Sequence, residues 1–142
     1  MEVLADLLMA SSEDIPTIVA SEYPLGKFRG VNVDGLDPLM VIALHASITG
    51  QAVEELMDSY HPVAHATESG PWLIQFPGTL TEHLSGLQPP DYPQVARVWA
   101  ESYRARGEEL SQVDAEKYLG QMSYLAQTAA FDGKELFLWI YS

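Results

Sequence analysis

Glu135-Leu136-Phe137-Leu138-Trp139-Ile140-Tyr141 holds six apolar residues in a row near the C-terminus. As an extended chain it sets Leu136, Leu138 and Ile140 on one face and Phe137, Trp139 and Tyr141 on the other, because successive side chains alternate. A strand that is apolar on both faces needs cover on both sides, which places it in the middle of a sheet. The rival reading is a buried helical end; the short length and the aromatic content favour a strand. Immediately upstream, Ala115, Tyr118, Leu119, Met122, Leu125, Ala126 and Ala129 recur at helical spacing behind Asp114, a side chain suited to cap the first turn. Phe131-Asp132-Gly133-Lys134 breaks that period, and Asp-Gly supplies the turn chemistry.

The rest of the chain is read outward from this helix and strand. Val3, Leu4, Leu7 and Leu8 fit a short amphipathic helix that Ser11-Ser12 interrupts. Ser12 then heads Glu13-Asp14-Ile15-Pro16, a helix start that runs to about Ser21 before the breakers Tyr23-Pro24-Leu25-Gly26. Residues 27–35 read as a loop with one short extended piece. Asp37-Pro38 opens a helix that Gly50 closes, and residues 51–59 add a further turn or two. Val63 to Thr67 and Trp72 to Phe76 flank Glu68-Ser69-Gly70-Pro71 and form a β-hairpin, with Trp72, Ile74 and Phe76 on one face. Thr79 and Glu82 have capping-box spacing, and Asp91 caps a helix striped by Val95, Val98, Trp99 and Tyr103 that ends near Gly107. The assembly expected is α+β: one globular domain, residues 1–142, in which the hairpin and the C-terminal strand make a small antiparallel sheet packed against several helices. In that arrangement Trp72 and Trp139 are core neighbours. An all-α bundle is the alternative.

Composition narrows the function more than any motif does. The 142 residues include 20 acidic and 7 basic side chains, for a net charge of -13. Such a surface repels phosphate backbones and anionic lipid, so neither nucleic acid nor a membrane is an expected partner. No apolar run approaches the ~20 residues needed to span a bilayer. Residues 1–8 carry two acids and no basic segment, which makes a poor signal peptide, so a cytoplasmic location is expected. Cysteine is absent, which excludes disulfides and thiol chemistry.

Catalytic and cofactor signatures are missing. There is no phosphate-binding loop, dinucleotide fingerprint or serine-hydrolase elbow, and nothing points to a cofactor. His61 and His65 are four apart, but Pro62 and the extended run put them ~13 Å from each other, too far to share a metal. His45 and His83 fall beside apolar stripes and read as hydrogen-bonded boundary residues. Glu54, Glu55 and Asp58 form one acidic edge and Glu108 and Glu109 another, both read as solvated faces. Asp34 and Asp37 around Gly35 lack the further oxygens of a calcium loop. If a ligand pocket lies between sheet and helices, its candidates are His65 on the hairpin with Tyr23 and Asp34 from the glycine-rich loop.

One pattern has a wider likeness. Gly70-Pro71-Trp72-Leu73, Phe76-Pro77, Trp99-Ala100 and Gly133-Lys134 before Leu136-Phe137-Leu138-Trp139 resemble small bacterial proteins of unassigned function. The likeness covers the C-terminal half and implies no activity. The reading that size and acidity support is a non-enzymatic, immunity- or inhibitor-like domain whose acidic face meets a basic protein. A small-molecule-binding or catalytic domain is the alternative. The aromatic content and the doubly apolar strand further suggest a homodimer.

Overall fold

A computed structural model describes residues 4–65, 67–68, 70–105, 107 and 109–141. The C-terminal run forms strand β5 (Glu135–Tyr141), the middle strand of a five-stranded antiparallel sheet. On one side it pairs with β1 (Leu4–Ala10), from Leu4 opposite Tyr141 to Ala10 opposite Glu135. On the other it pairs with β4 (Trp72–Gln75). β2 (Gly30–Asn32) and β3 (Ala64–His65) complete the order β2-β1-β5-β4-β3. The fold is therefore α+β, and the all-α alternative is not adopted. Both edge strands are very short, so each presents little unpaired backbone.

β1 corrects the helix expected at Leu4, Leu7 and Leu8; Val3 lies outside the described residues. The leucines fit either period. A strand buried on both faces shows no polar alternation to betray it, and pairing with β5 over seven residues decides the outcome. Gly30 in β2 permits a close approach: a Cβ there would collide with the Leu7 carbonyl oxygen. The hairpin forms as expected, with His65 opposite Trp72, although Ala66 and Ser69 fall outside the described residues.

The helices largely follow their sequence punctuation. A 3₁₀ turn at Ser12–Asp14 leads into α1 (Ile15–Ala20). α2 (Pro38–Thr49) is capped by Asp37 Oδ1, which accepts from the Met40 amide at 2.9 Å, and is closed by Gly50 at φ 77°. α3 (Val53–Leu56) continues as a 3₁₀ turn through Tyr60. α4 (Gly78–Gly86) starts from Pro77, without the capping box expected of Thr79 and Glu82. Before α5 (Tyr92–Arg104), the Asp91 carboxylate accepts from the Gln88 amide and so caps the preceding turn instead of the helix. α5 stops at Arg104, three residues short of Gly107, and buries Ala96, Trp99, Ala100 and Tyr103 while Val98 is exposed. α6 (Gln112–Asp132) is capped by Ser111, whose Oγ accepts from the Asp114 amide at 3.0 Å. Asp114 thus lies inside the first turn. Leu110 before the cap and Ala115 after it are both buried in one core, a staple that fixes the earlier start.

Two unequal layers cover the sheet. Ala5, Leu7, Met9, Ile74, Leu136, Leu138 and Ile140 share a core with residues of α2 to α6. On the reverse face Leu8, Ala10, Leu73, Phe137 and Trp139 pack with Ile18 of α1, flanked by Leu25 and Phe28. Opposed residues share a face, and Trp72 opposes Ile140 whereas Leu73 opposes Trp139. Trp72 and Trp139 are therefore on opposite faces and are not core neighbours.

Leu138 is fully buried and Phe131 is 90% exposed. Leu138→Ala is expected to cost ~2–5 kcal/mol in chemical denaturation, and Phe131→Ala no more than ~0.5 kcal/mol.

Candidate functional site

The three residues singled out in the sequence occupy separate places. Tyr23 follows α1 and is 67% exposed, its amide donating to Ser21 Oγ at 3.2 Å. Asp34 works as a clamp. Its Oδ1 accepts from the Ala5 amide at 2.8 Å and from Asn32 Nδ2 at 3.0 Å, and its carbonyl accepts from the Tyr118 hydroxyl at 2.8 Å. His65 is exposed on β3, with Nδ1 3.1 Å from the Thr67 carbonyl. β2 and β3 are opposite edges of the sheet, so four strand spacings, ~19 Å, separate the neighbourhood of Asp34 from His65. Among the described residues, no group of three or more histidines and carboxylates is arranged to hold a metal.

A buried polar chain lies elsewhere. His45 is 1% exposed, more deeply placed than its boundary position suggests. Its Nδ1 is 2.7 Å from the Tyr60 hydroxyl and its Nε2 is 3.2 Å from Thr79 Oγ1. Burial pushes the Tyr60 phenol well above its ordinary range, so it keeps its proton and is the natural donor to Nδ1. Nε2 then carries the ring hydrogen and donates to Thr79. A histidine in that tautomer cannot take a proton from Thr79, so the trio joins α2, α3 and α4 without forming a nucleophile–base pair.

Beside this chain runs a groove of about 580 Å³ between the start of α2 and the turn after α3. Leu39, Ile42, Met57 and Tyr60 line its apolar part, and Asp37, Asp58 and His61 its polar rim. Met57 is 49% exposed, and His61 Nε2 lies 3.7 Å from Asp58 Oδ1 with both side chains in solvent. Glu54 and Glu55 stand in the first turn of α3; the second acidic edge includes Glu108, which lies outside the described residues.

The two carboxylates of this rim, Asp37 and Asp58, belong to a long acidic span of the chain. Between Arg29 and Arg97 the chain contains no lysine or arginine, yet it carries Asp34, Asp37, Glu54, Glu55, Asp58, Glu68, Glu82 and Asp91. That span folds into β2, α2, α3, β3, β4, α4 and the start of α5. Four of the cations have neutral partners: Arg29 donates to the Tyr124 hydroxyl, Arg97 to Gln94, and Lys134 to Ser11, while Lys117 lies over the Tyr118 ring. The cation-free span was open to view in the sequence. The apolar floor was not, because residues 51–59 read only as a further turn or two of helix.

No protein-family model matches this chain, and no curated protein matches it in sequence. It is similar to a solved structure, the protein of unknown function YfbM from Escherichia coli, at 12% identity. The match covers 96% of this chain and 99% of that one, with a TM-score of 0.49. No helix among the described residues is long and apolar enough to cross a membrane.

Burial, helped by the nearby His83, lowers the His45 pKa from its ordinary 6.5. The folded state then binds fewer protons than the unfolded one, so stability contributed by neutral His45 is present above pH 6.5 and lost as pH falls toward the lowered value. His45→Gln is expected to cost ~1–3 kcal/mol at pH 7 and to lose stability less steeply on acidification below 6.5 than the parent. Equal slopes in urea titrations across that range would contradict a buried neutral imidazole.

Proposed function

We propose that this chain is a non-enzymatic interaction domain, immunity- or inhibitor-like, whose acidic groove receives a basic amphipathic segment of a partner protein. One observation carries the reading: a stretch without lysine or arginine folds so that two of its carboxylates, Asp37 and Asp58, rim an apolar groove. Interfaces are built in this way, with an apolar centre that excludes water and a charged rim that sets orientation. A field of one sign raises the rate of encounter with a cationic partner and disfavours anionic ones. Lysine or arginine would meet Asp58 at the rim, and an apolar anchor would settle on Ile42 and Met57. A second copy presents the same negative field to this face, so the homodimer suggested by the aromatic content is not placed here. The catalytic or small-molecule alternative built on Tyr23, Asp34 and His65 has no convergence of those residues in its favour.

The test is affinity capture at low salt, with a Glu55→Lys/Asp58→Lys double variant and Met57→Ala beside the parent. These positions are exposed, and circular dichroism would verify retained folding. A basic protein captured by the parent should be lost on charge reversal and at about 0.5 M salt. Met57→Ala should weaken it roughly tenfold, the effect of removing one apolar anchor. Absence of a basic partner, or capture indifferent to charge reversal, would overturn the proposal.

A further inference from the structure

The reverse face of the sheet is incompletely roofed. Phe137 is sealed in a cluster with Leu8, Ile18 and Leu73. One step along β5 from Trp139, cover fails: Tyr141 is 46% exposed and its cross-strand partner Leu4 is 47% exposed. A cleft of about 480 Å³ opens there, between this corner and the end of α1, and includes Leu4, Val19, Ser21, Glu22, Trp139 and Tyr141 in its lining. That volume falls within the range of small-molecule sites.

Three features of the cleft bear on its occupant. The Trp139 and Tyr141 rings are stacked, with centroids 6.3 Å apart and planes 22° apart, and form an aromatic wall. Trp139 is only 8% exposed, yet its Nε1–H is buried without a hydrogen-bond partner. By contrast, the Trp99 Nε1–H donates to the Met40 carbonyl at 2.9 Å, as a buried indole ordinarily does. Among the lining residues, Glu22 is the charged one. Behind the wall, Asp6 opposes Trp139 on the same face and is 5% exposed. The site thus offers ring faces and negative charge.

We propose that this cleft binds a small organic cation, a quaternary ammonium or protonated amine. The cationic head lies against Trp139 and Tyr141, whose ring quadrupoles attract it, and within the field of Glu22. Leu4 and Val19 receive the alkyl portion. Anions are opposed by Glu22 and by the net charge of -13. This site is separate from the acidic groove and does not depend on its partner.

Choline and its uncharged carbon isostere, 3,3-dimethylbutan-1-ol, form the test pair. In nitrogen–proton correlation spectra, the indole resonance of Trp139 is assigned through its contacts to Tyr141. Choline should shift that resonance saturably, with half-saturation below ~10 mM, and leave the Trp99 resonance in place. The isostere should bind about tenfold more weakly, the share that a cation–π contact supplies. Glu22→Gln should weaken choline about twofold to fivefold and leave the isostere unchanged. Tyr141→Ala should weaken choline about fivefold or more. Three results would overturn the proposal: no saturable shift, equal binding of charged and neutral ligands, or a Trp139 shift on dilution with doubled mass in light scattering. The last would assign the corner to a second copy of the chain.

Discussion

Everything in this structure answers to a strand that is apolar on both faces. β5 buries Leu136, Phe137, Leu138, Trp139 and Ile140 in succession. At ~1.5–3 kcal/mol for each side chain, their burial is worth on the order of 10 kcal/mol, comparable to the whole net stability of a typical domain. Such a strand cannot lie at an edge or face water, so it takes β1 and β4 as neighbours and a layer on each side. The layers differ because the chain supplies them unequally. α2 to α6 cover one face, whereas the other has the six residues of α1 and the turns around it. The open corner at Leu4 and Tyr141 follows from that imbalance.

Buried polar groups show the same asymmetry. In the thick layer, the Trp99 indole donates to the Met40 carbonyl, the Ser123 hydroxyl donates to the Leu84 carbonyl, and His45 links Tyr60 to Thr79. Each bond joins two helical segments, so satisfying a polar group also sets how they pack. On the thin side, Asp6 is held by Asn32 while desolvation raises its pKa, and the Trp139 N–H goes without a partner.

Much of this was legible in the residues. β5 was fixed by its composition, α2 by Asp37-Pro38 and Gly50, and the turn before β5 by Gly133, which adopts φ 68°. β1 was not legible, because Leu4, Leu7 and Leu8 satisfy helical and extended periods alike; only pairing with β5 distinguishes them. At α6 the cap read as Asp114 is Ser111, three residues earlier, with Leu110 before it buried in the core. Thr79 turned from its own helix to His45, a partner 34 residues distant that no local rule could name. The same limit applied to the sites. Tyr23, Asp34 and His65 were grouped because loops carry function, but grouping needs strand order, and strand order puts β2 and β3 at opposite edges. Acidity was evident from composition; its placement around an apolar groove required the fold.

The organising role of β5 can be measured directly by amide hydrogen exchange. Amides of residues 136–140 and of their β1 partners should exchange slowest, with protection equal to the free energy of global unfolding. Amides of the short strand β3 should exchange faster, through local opening. Faster exchange in β5 than in α5 or α6 would contradict the central claim, because the helices would then persist without the strand on which they are packed.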